Sequence, residues 1–289
     1  MINNKDGLAK IAKNNAFDMD MITIMNYIEH TLTMITDQPS IISKSTRIMI
    51  ALYLFGDMPS QEIAEKTFLK TSDIASKASH LRKTGQIEKH GIYFHLTDES
   101  RKAVEEFEER VKASAERLDK NDLILLYNSY IAFCTPFFDF EERPPLMYLV
   151  VIAIGVYEHM CWELFNGKHL YSRTSILYYT EVFEVMDYVK LSHLIAKSLQ
   201  NIQILARRLE EEGWLKIAKR KIRHKRPDIT ITDEGREELI TSVRNANKGA
   251  SAVYNSIEEP LRENFIKSLN GMKYIAIKQI QASGLDKEF

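Results

Sequence analysis

The sequence predicts a mainly α fold with small β wings, and three observations carry that prediction. The 289 residues include only 11 Gly and 7 Pro, with 45% hydrophobic and 27% charged side chains, a composition that favours helices over sandwiches and argues against disorder. Apolar residues recur at helical spacing along most of the chain. One order of elements, two short helices, a Gly stop, a hairpin and a longer helix, occurs twice. The length exceeds one typical domain, so two are expected.

The N-terminal MINNKDGLAK lacks a basic segment followed by an apolar run, so no secretory signal is expected and the expected location is the cytoplasm. From Asp18 to Thr36, Met19, Ile22, Ile24, Met25, Ile28 and Leu32 outline a first helix. Ser43 to Phe55 is a second, stopped by Gly56, and Pro59-Ser60 starts a third that carries Ile63, Ala64 and Phe68. A fourth begins at Thr71 with Ile74, Ala78 and Leu81 inward, Thr71, Ser72, Asp73 and Lys77 outward, and Gly85 at its end. Ile87 to Leu96 reads as a hairpin, and Thr97-Asp98-Glu99 opens a charged helix to about Leu118.

From Leu123 to Tyr188 lie 15 of the 28 Phe, Trp and Tyr residues. Asn121-Asp122 cap a helix through Phe133, Pro136 and Glu141 to Pro145 break the chain, and Leu146 to Phe165 is a largely buried helix. Its unbroken apolar run, Leu146 to Tyr157, is shorter than the ~20 residues a membrane span needs. Two readings of this joint stand side by side. The aromatics either line a ligand pocket with Cys134 or Cys161 as a thiol sensor, or form an interface core in which both cysteines are small buried hydrophobes. The second is favoured, because no basic cluster adjoins either cysteine to lower its pKa. Two cysteines also cannot form a disulfide framework.

The most informative stretch runs from Lys190 to Arg236. Ile202, Leu205, Ala206 and Leu209 face the core at helical spacing, which turns Asn201, Gln203, Arg207 and Arg208 outward, with Gln200 beside them. Amides and guanidinium groups on an exposed helix can make paired hydrogen bonds to base edges in a major groove. After Gly213 a strand leads to Lys219, Arg220, Lys221, Arg223, Lys225 and Arg226, and alternating Ile229, Thr230 and Ile231 lead back to a helix start at Thr232 or Asp233. Lys190 to Arg226 carries 11 Lys and Arg against Glu210, Glu211 and Glu212, a local +8 in a chain of net charge −1. That concentration is an electrostatic footprint for phosphate. The expected element is a winged helix-turn-helix. Beyond it, a helix runs through Leu239 and Val243, and after Pro260 the apolar stripe Leu261, Phe265, Leu269, Met272, Ile275 and Ile280 needs covering by a second chain or by the first repeat.

Leu81 to Gly85 corresponds to Leu209 to Gly213, and His95 to Arg101 to Thr230 to Arg236. The glycines lie 128 residues apart and the threonines 135, so the second hairpin is seven residues longer. Leu209, Gly213 and Trp214, the basic hairpin, and Ile231-Thr232-Asp233-Glu234-Gly235 resemble the MarR family of transcriptional regulators over about fifty residues. His224-Lys225-Arg226 stands where that family has Asp-x-Arg, and Lys197 where it has an aliphatic residue. The tandem plan is similar to two-domain Sar-type regulators. The resemblance implies double-stranded DNA as partner, outer helices that form a homodimer or, within one chain, a pseudo-dimer, and a small-molecule or oxidative effector for which no residue here argues. The expected spans are 1–120 for the first winged unit, 121–145 for a helical connection and 146–289 for the second.

Gly-rich phosphate loops, His-Glu-x-x-His, Cys-x-x-Cys and a nucleophile elbow are absent from the sequence, so no enzyme, cofactor or metal is expected. His90 and His95 flank a hairpin as surface residues, and His159 and Cys161 fall on different faces of a helix. The expected function is sequence-specific regulation of transcription, with Thr71, Ser72 and Lys77 as the first repeat's DNA-facing residues. A plasmid or phage replication initiator with two winged helices, and a winged-helix interaction scaffold, are the alternatives. Between Pro59 and His95 the balance is only +2, so the second repeat is expected to anchor DNA and the first to add reach, and a cut within Asp139 to Arg143 to separate them.

Overall fold

In a computed structural model the described residues are 21–38, 42–218 and 227–282, and they form twelve helices with two small antiparallel sheets. Helix accounts for 75% of the described residues, in agreement with a mainly α fold. The chain divides into two compact units. One comprises Thr31–Tyr157 and Glu263–Ile275; the other comprises the segment ending at His30, Glu158–Arg262 and the segment beginning at Ala276. These units do not follow the sequence boundaries at 120 and 145. A cut between Asp139 and Arg143 falls within the Thr31–Tyr157 segment, inside one of these units.

In the unit built around Thr31–Tyr157, the end of α1 (Met21–Thr36) precedes α2 (Lys44–Phe55). Ser43 caps α2 by accepting the Thr46 amide, and Gly56 ends it at φ 84°. Strand β1 (Met58–Pro59), α3 (Ser60–Thr67), α4 (Thr71–Lys83), β2 (Ile87–His90), β3 (Tyr93–Leu96) and α5 (Asp98–Glu116) follow. The sheet order is β1-β3-β2, with Met58 opposite Phe94 and Ile87 opposite Leu96. α6 (Lys120–Cys134) is capped by Asp119, which accepts the Asn121 and Asp122 amides, so the cap lies earlier than Asn121-Asp122. The C-terminal stripe is buried here: Phe265 stacks on Phe133 at 5.8 Å, and Leu269, Met272 and Ile275 are buried.

α7 (Leu146–Phe165) is the one described helix long and apolar enough to cross a membrane, but 78% of its apolar window is buried inside the protein, as in a core helix. In the other unit α8 (Lys168–Phe183), α9 (Tyr188–Leu194), α10 (Leu199–Glu211), β4 (Leu215–Ala218), β5 (Asp228–Ile231) and α11 (Asp233–Ser256) follow, while α12 (Glu259–Ala282) is divided, its Glu263–Ile275 stretch belonging to the first unit and its two ends to this one. Their core gathers Ile176, Met186, Leu191, Ile195, Ile202, Ala206, Leu209, Leu215, Ile229 and Leu239.

The two units repeat one another in backbone detail. α10 begins and ends 128 residues after α4. Met58 pairs with Phe94, and 128 residues on Met186 bridges Ile229. Phe68 and Ala196, also 128 apart, both adopt the left-handed conformation, at φ 54° and 49°. The Gln86 amide donates to Leu81 O and the Trp214 amide to Leu209 O, each at 2.8 Å. Thr97 and Thr232 both donate their hydroxyls to the glycine carbonyls of Gly85 and Gly213 and cap the next helix.

Candidate nucleic-acid interface

α10 places the sequence-predicted residues on its outer face. Ser198 caps it by accepting the Asn201 amide. Ile202, Ala206 and Leu209 are buried and Leu205 is half-buried, while Gln200, Asn201, Arg207 and Arg208 are exposed and Gln203 is half-buried. Two apolar residues not anticipated there, Leu199 at 42% and Ile204 at 44% exposure, share that face.

Arg207 is exposed near Tyr188, whose pKa is raised by burial first and partly pulled back by the arginine's charge. Arg208 lies in a positive cluster: burial first, then the charges of Arg173 and Arg208, lower the pKa of His169. Arg173 stacks its guanidinium over Trp214 at 4.7 Å and pairs with Glu212.

Lys219, Arg220, Lys221, Arg223, Lys225 and Arg226 lie outside the described residues. What the structure fixes is the ladder around them. Leu215 pairs with Ile231, Lys216 with Thr230, Ile217 with Ile229 and Ala218 with Asp228, so the basic segment joins two strands whose register is set. In the first repeat Thr71 and Ser72 are exposed and Lys77 is half-buried on α4, while Lys44 pairs with Asp73 at 2.8 Å. Its hairpin ends in exposed Ile92 and Tyr93 in place of cations.

Beneath the turn between α9 and α10 lies a polar cluster that sequence reasoning missed. Glu29, fully buried on α1, receives the Lys197 ammonium at 2.8 Å, with Lys168 at 3.7 Å. Asn26 donates to the Tyr179 hydroxyl and accepts from that of Tyr171, and His30 Nε2 lies 3.1 Å from Leu194 O. The only signal was the departure at Lys197, a cation in an aliphatic slot.

Burial pushes the Cys134 thiol well above its usual range, and both cysteines are buried, in keeping with small core residues. A cavity of about 350 Å³ is lined by Phe55, Phe138, Phe140 and Tyr148 with Lys66 and three carboxylates, and neither cysteine borders it. His95 Nδ1 lies 2.7 Å from Asp57, with the His90 ring at 4.4 Å. Among the described residues no group of three or more His, Cys, Asp or Glu is placed to hold a metal ion. Compared with known proteins, the chain matches no family model and no curated relative.

Proposed function

We propose that the chain is a sequence-specific, double-stranded-DNA-binding transcriptional regulator of MarR type, non-enzymatic and cytoplasmic, with two winged helix-turn-helix units in one polypeptide. The observation that carries the reading is the pairing of α10's polar outer face with a ladder that joins its strands through six cations. In this reading α10 enters a major groove, its amides meet base edges, and the wing neutralises phosphates. Gln200, Asn201, Gln203, Arg207 and Arg208 are the readers in this reading, Gln203 half-buried and the others exposed. Burial of the α12 stripe within one chain supports a pseudo-dimer of repeats over terminal helices waiting for a second copy.

The test is the salt dependence of binding. Changing Lys221, Arg223, Lys225 and Arg226 to Ala should weaken binding to all duplexes and remove about 0.9 from the slope of log K against log salt for each phosphate left without its cation. An unchanged slope overturns the wing assignment. A second reading applies to the first repeat alone. Its hairpin exposes Ile92 at 64% and Tyr93 at 47%, a tip suited to protein rather than phosphate. Partner retention at high salt that Ile92→Ser abolishes would support a scaffold role for that unit.

A further inference from the structure

On α10 the residues Gln200, Ile204, Arg207 and Arg208 follow one another at i, i+4, i+7 and i+8, so they form one stripe down the outer face. The buried stripe, Ile202, Ala206 and Leu209, lies on the other side. Ile204 is thus an isoleucine in the middle of a polar face, 44% exposed, with Leu199 at 42% one turn before Gln203. Neither residue is demanded by the fold. The same helix in the first repeat, α4, carries Thr71 and Ser76 at the corresponding positions, both exposed, and forms a helix of the same length even without the side-chain cap that Ser198 gives α10. Something other than packing within the unit accounts for the two aliphatic side chains.

A helix in a major groove meets one apolar group at the base edges, the C5 methyl of thymine. Beside it, on the adenine of the same pair, lie N6 and N7, which a carboxamide engages with two hydrogen bonds. α10 carries three carboxamides, Gln200, Asn201 and Gln203, interleaved with Leu199 and Ile204. We propose that α10 reads A·T pairs, its carboxamides on adenine and Ile204 and Leu199 against thymine methyl groups, with Ile204 as the central specificity-determining side chain. This rests on the DNA-binding reading above and adds the class of base pair recognised.

The experiment uses the full-length chain. Bound duplexes are selected from a random pool, the preferred site is resynthesised with each thymine replaced in turn by deoxyuridine, and affinities are measured at one fixed salt concentration. Deoxyuridine pairs as thymine does and lacks only the methyl group. Removing a methyl that the protein touches should weaken binding about fourfold, the worth of one buried methyl group. Ile204→Ser, which copies the first repeat and alters a half-exposed position, should bind thymine and deoxyuridine duplexes alike at one position, with its salt slope unchanged. Leu199→Thr should do the same at a second position.

If wild type binds its preferred site specifically yet ignores every replacement, or if the penalty persists in both variants, the inference is overturned while DNA binding stands. If Ile204→Ser leaves all duplex affinities intact but abolishes self-association or partner retention at high salt, the isoleucine serves a protein interface and the inference is likewise overturned. If no duplex is bound above background, the DNA-binding reading fails and this one falls with it.

Discussion

The turn between the paired helices has the same backbone in both repeats and is secured by opposite chemistry. In the first repeat the left-handed residue is Phe68, whose side chain lies against Gly155 of α7 so closely that a Cβ there would sit 2.6 Å from the Phe68 Cβ. The next residue, Leu69, is buried. In the second the left-handed residue is Ala196, and the next, Lys197, sends its ammonium to the fully buried carboxylate of Glu29. One unit fastens its turn by close apolar packing, the other by an ion pair withdrawn from water. The geometry of such a turn therefore does not dictate the means of holding it, and the two means fail differently when one partner is removed.

The largest effect is expected at the ion pair. Lys197→Met leaves Glu29 buried with Lys168 at 3.7 Å as its nearer remaining cation, and should destabilise that unit by about 3–5 kcal/mol in urea unfolding. Adding Glu29→Gln should recover most of the loss, because a neutral pair strands no charge; a double variant as unstable as Lys197→Met would show that shape rather than charge holds the turn. The apolar fastening should be less costly to disturb. Gly155→Ala forces its new methyl group onto Phe68, and overpacking of this kind costs about 1–3 kcal/mol. An unchanged unfolding midpoint would mean that Phe68 moves aside freely.

A smaller effect should follow acidification, and only where α1 meets the second repeat. Burial lowers the pKa of His30 below its ordinary 6.5, against the opposing pull of the Leu194 carbonyl and Glu29. The folded state thus favours the neutral ring. Its contribution is present above pH 6.5 and is lost as the pH falls, because the unfolded chain takes up the proton first. Protection factors at α9, corrected for the intrinsic pH dependence of exchange, should fall below that pH in the wild type, and His30→Gln should flatten the dependence; an identical pH profile in the variant would remove His30 from the account.

Most helices were legible because their burial is one-sided and their ends carry caps, as at Ser43, Thr97 and Thr232. α8 was not, for a physical reason. Ser172, Thr174, Ser175 and Thr180 are buried, and each returns its hydroxyl to a carbonyl four residues back, so polar residues occupy core positions and erase the apolar period. A two-residue strand such as β1 carries no pattern at all, and Met186 pairs through a single bridge. The outer face of α10 was legible for its amides and guanidinium groups, since periodicity assigns them by elimination. It left Ile204 unassigned, because an aliphatic residue off the buried stripe carries no polar signal of its own. The interleaving of the units, like the meeting of Lys197 with Glu29 across 168 positions, depends on long-range packing that no local spacing encodes.

The register of the two hairpins has a practical consequence. Two residues separate His90 from Tyr93 and nine separate Ala218 from Asp228, the outermost pairs among the described residues, so the difference of seven lies between those positions. Every residue below those pairs keeps its facing, since no strand has slipped by an odd step. The charged stretch between Ala218 and Asp228 is therefore a cassette in the sequence: it is seven residues longer than its counterpart, and the four described rungs of each hairpin still pair in the same register.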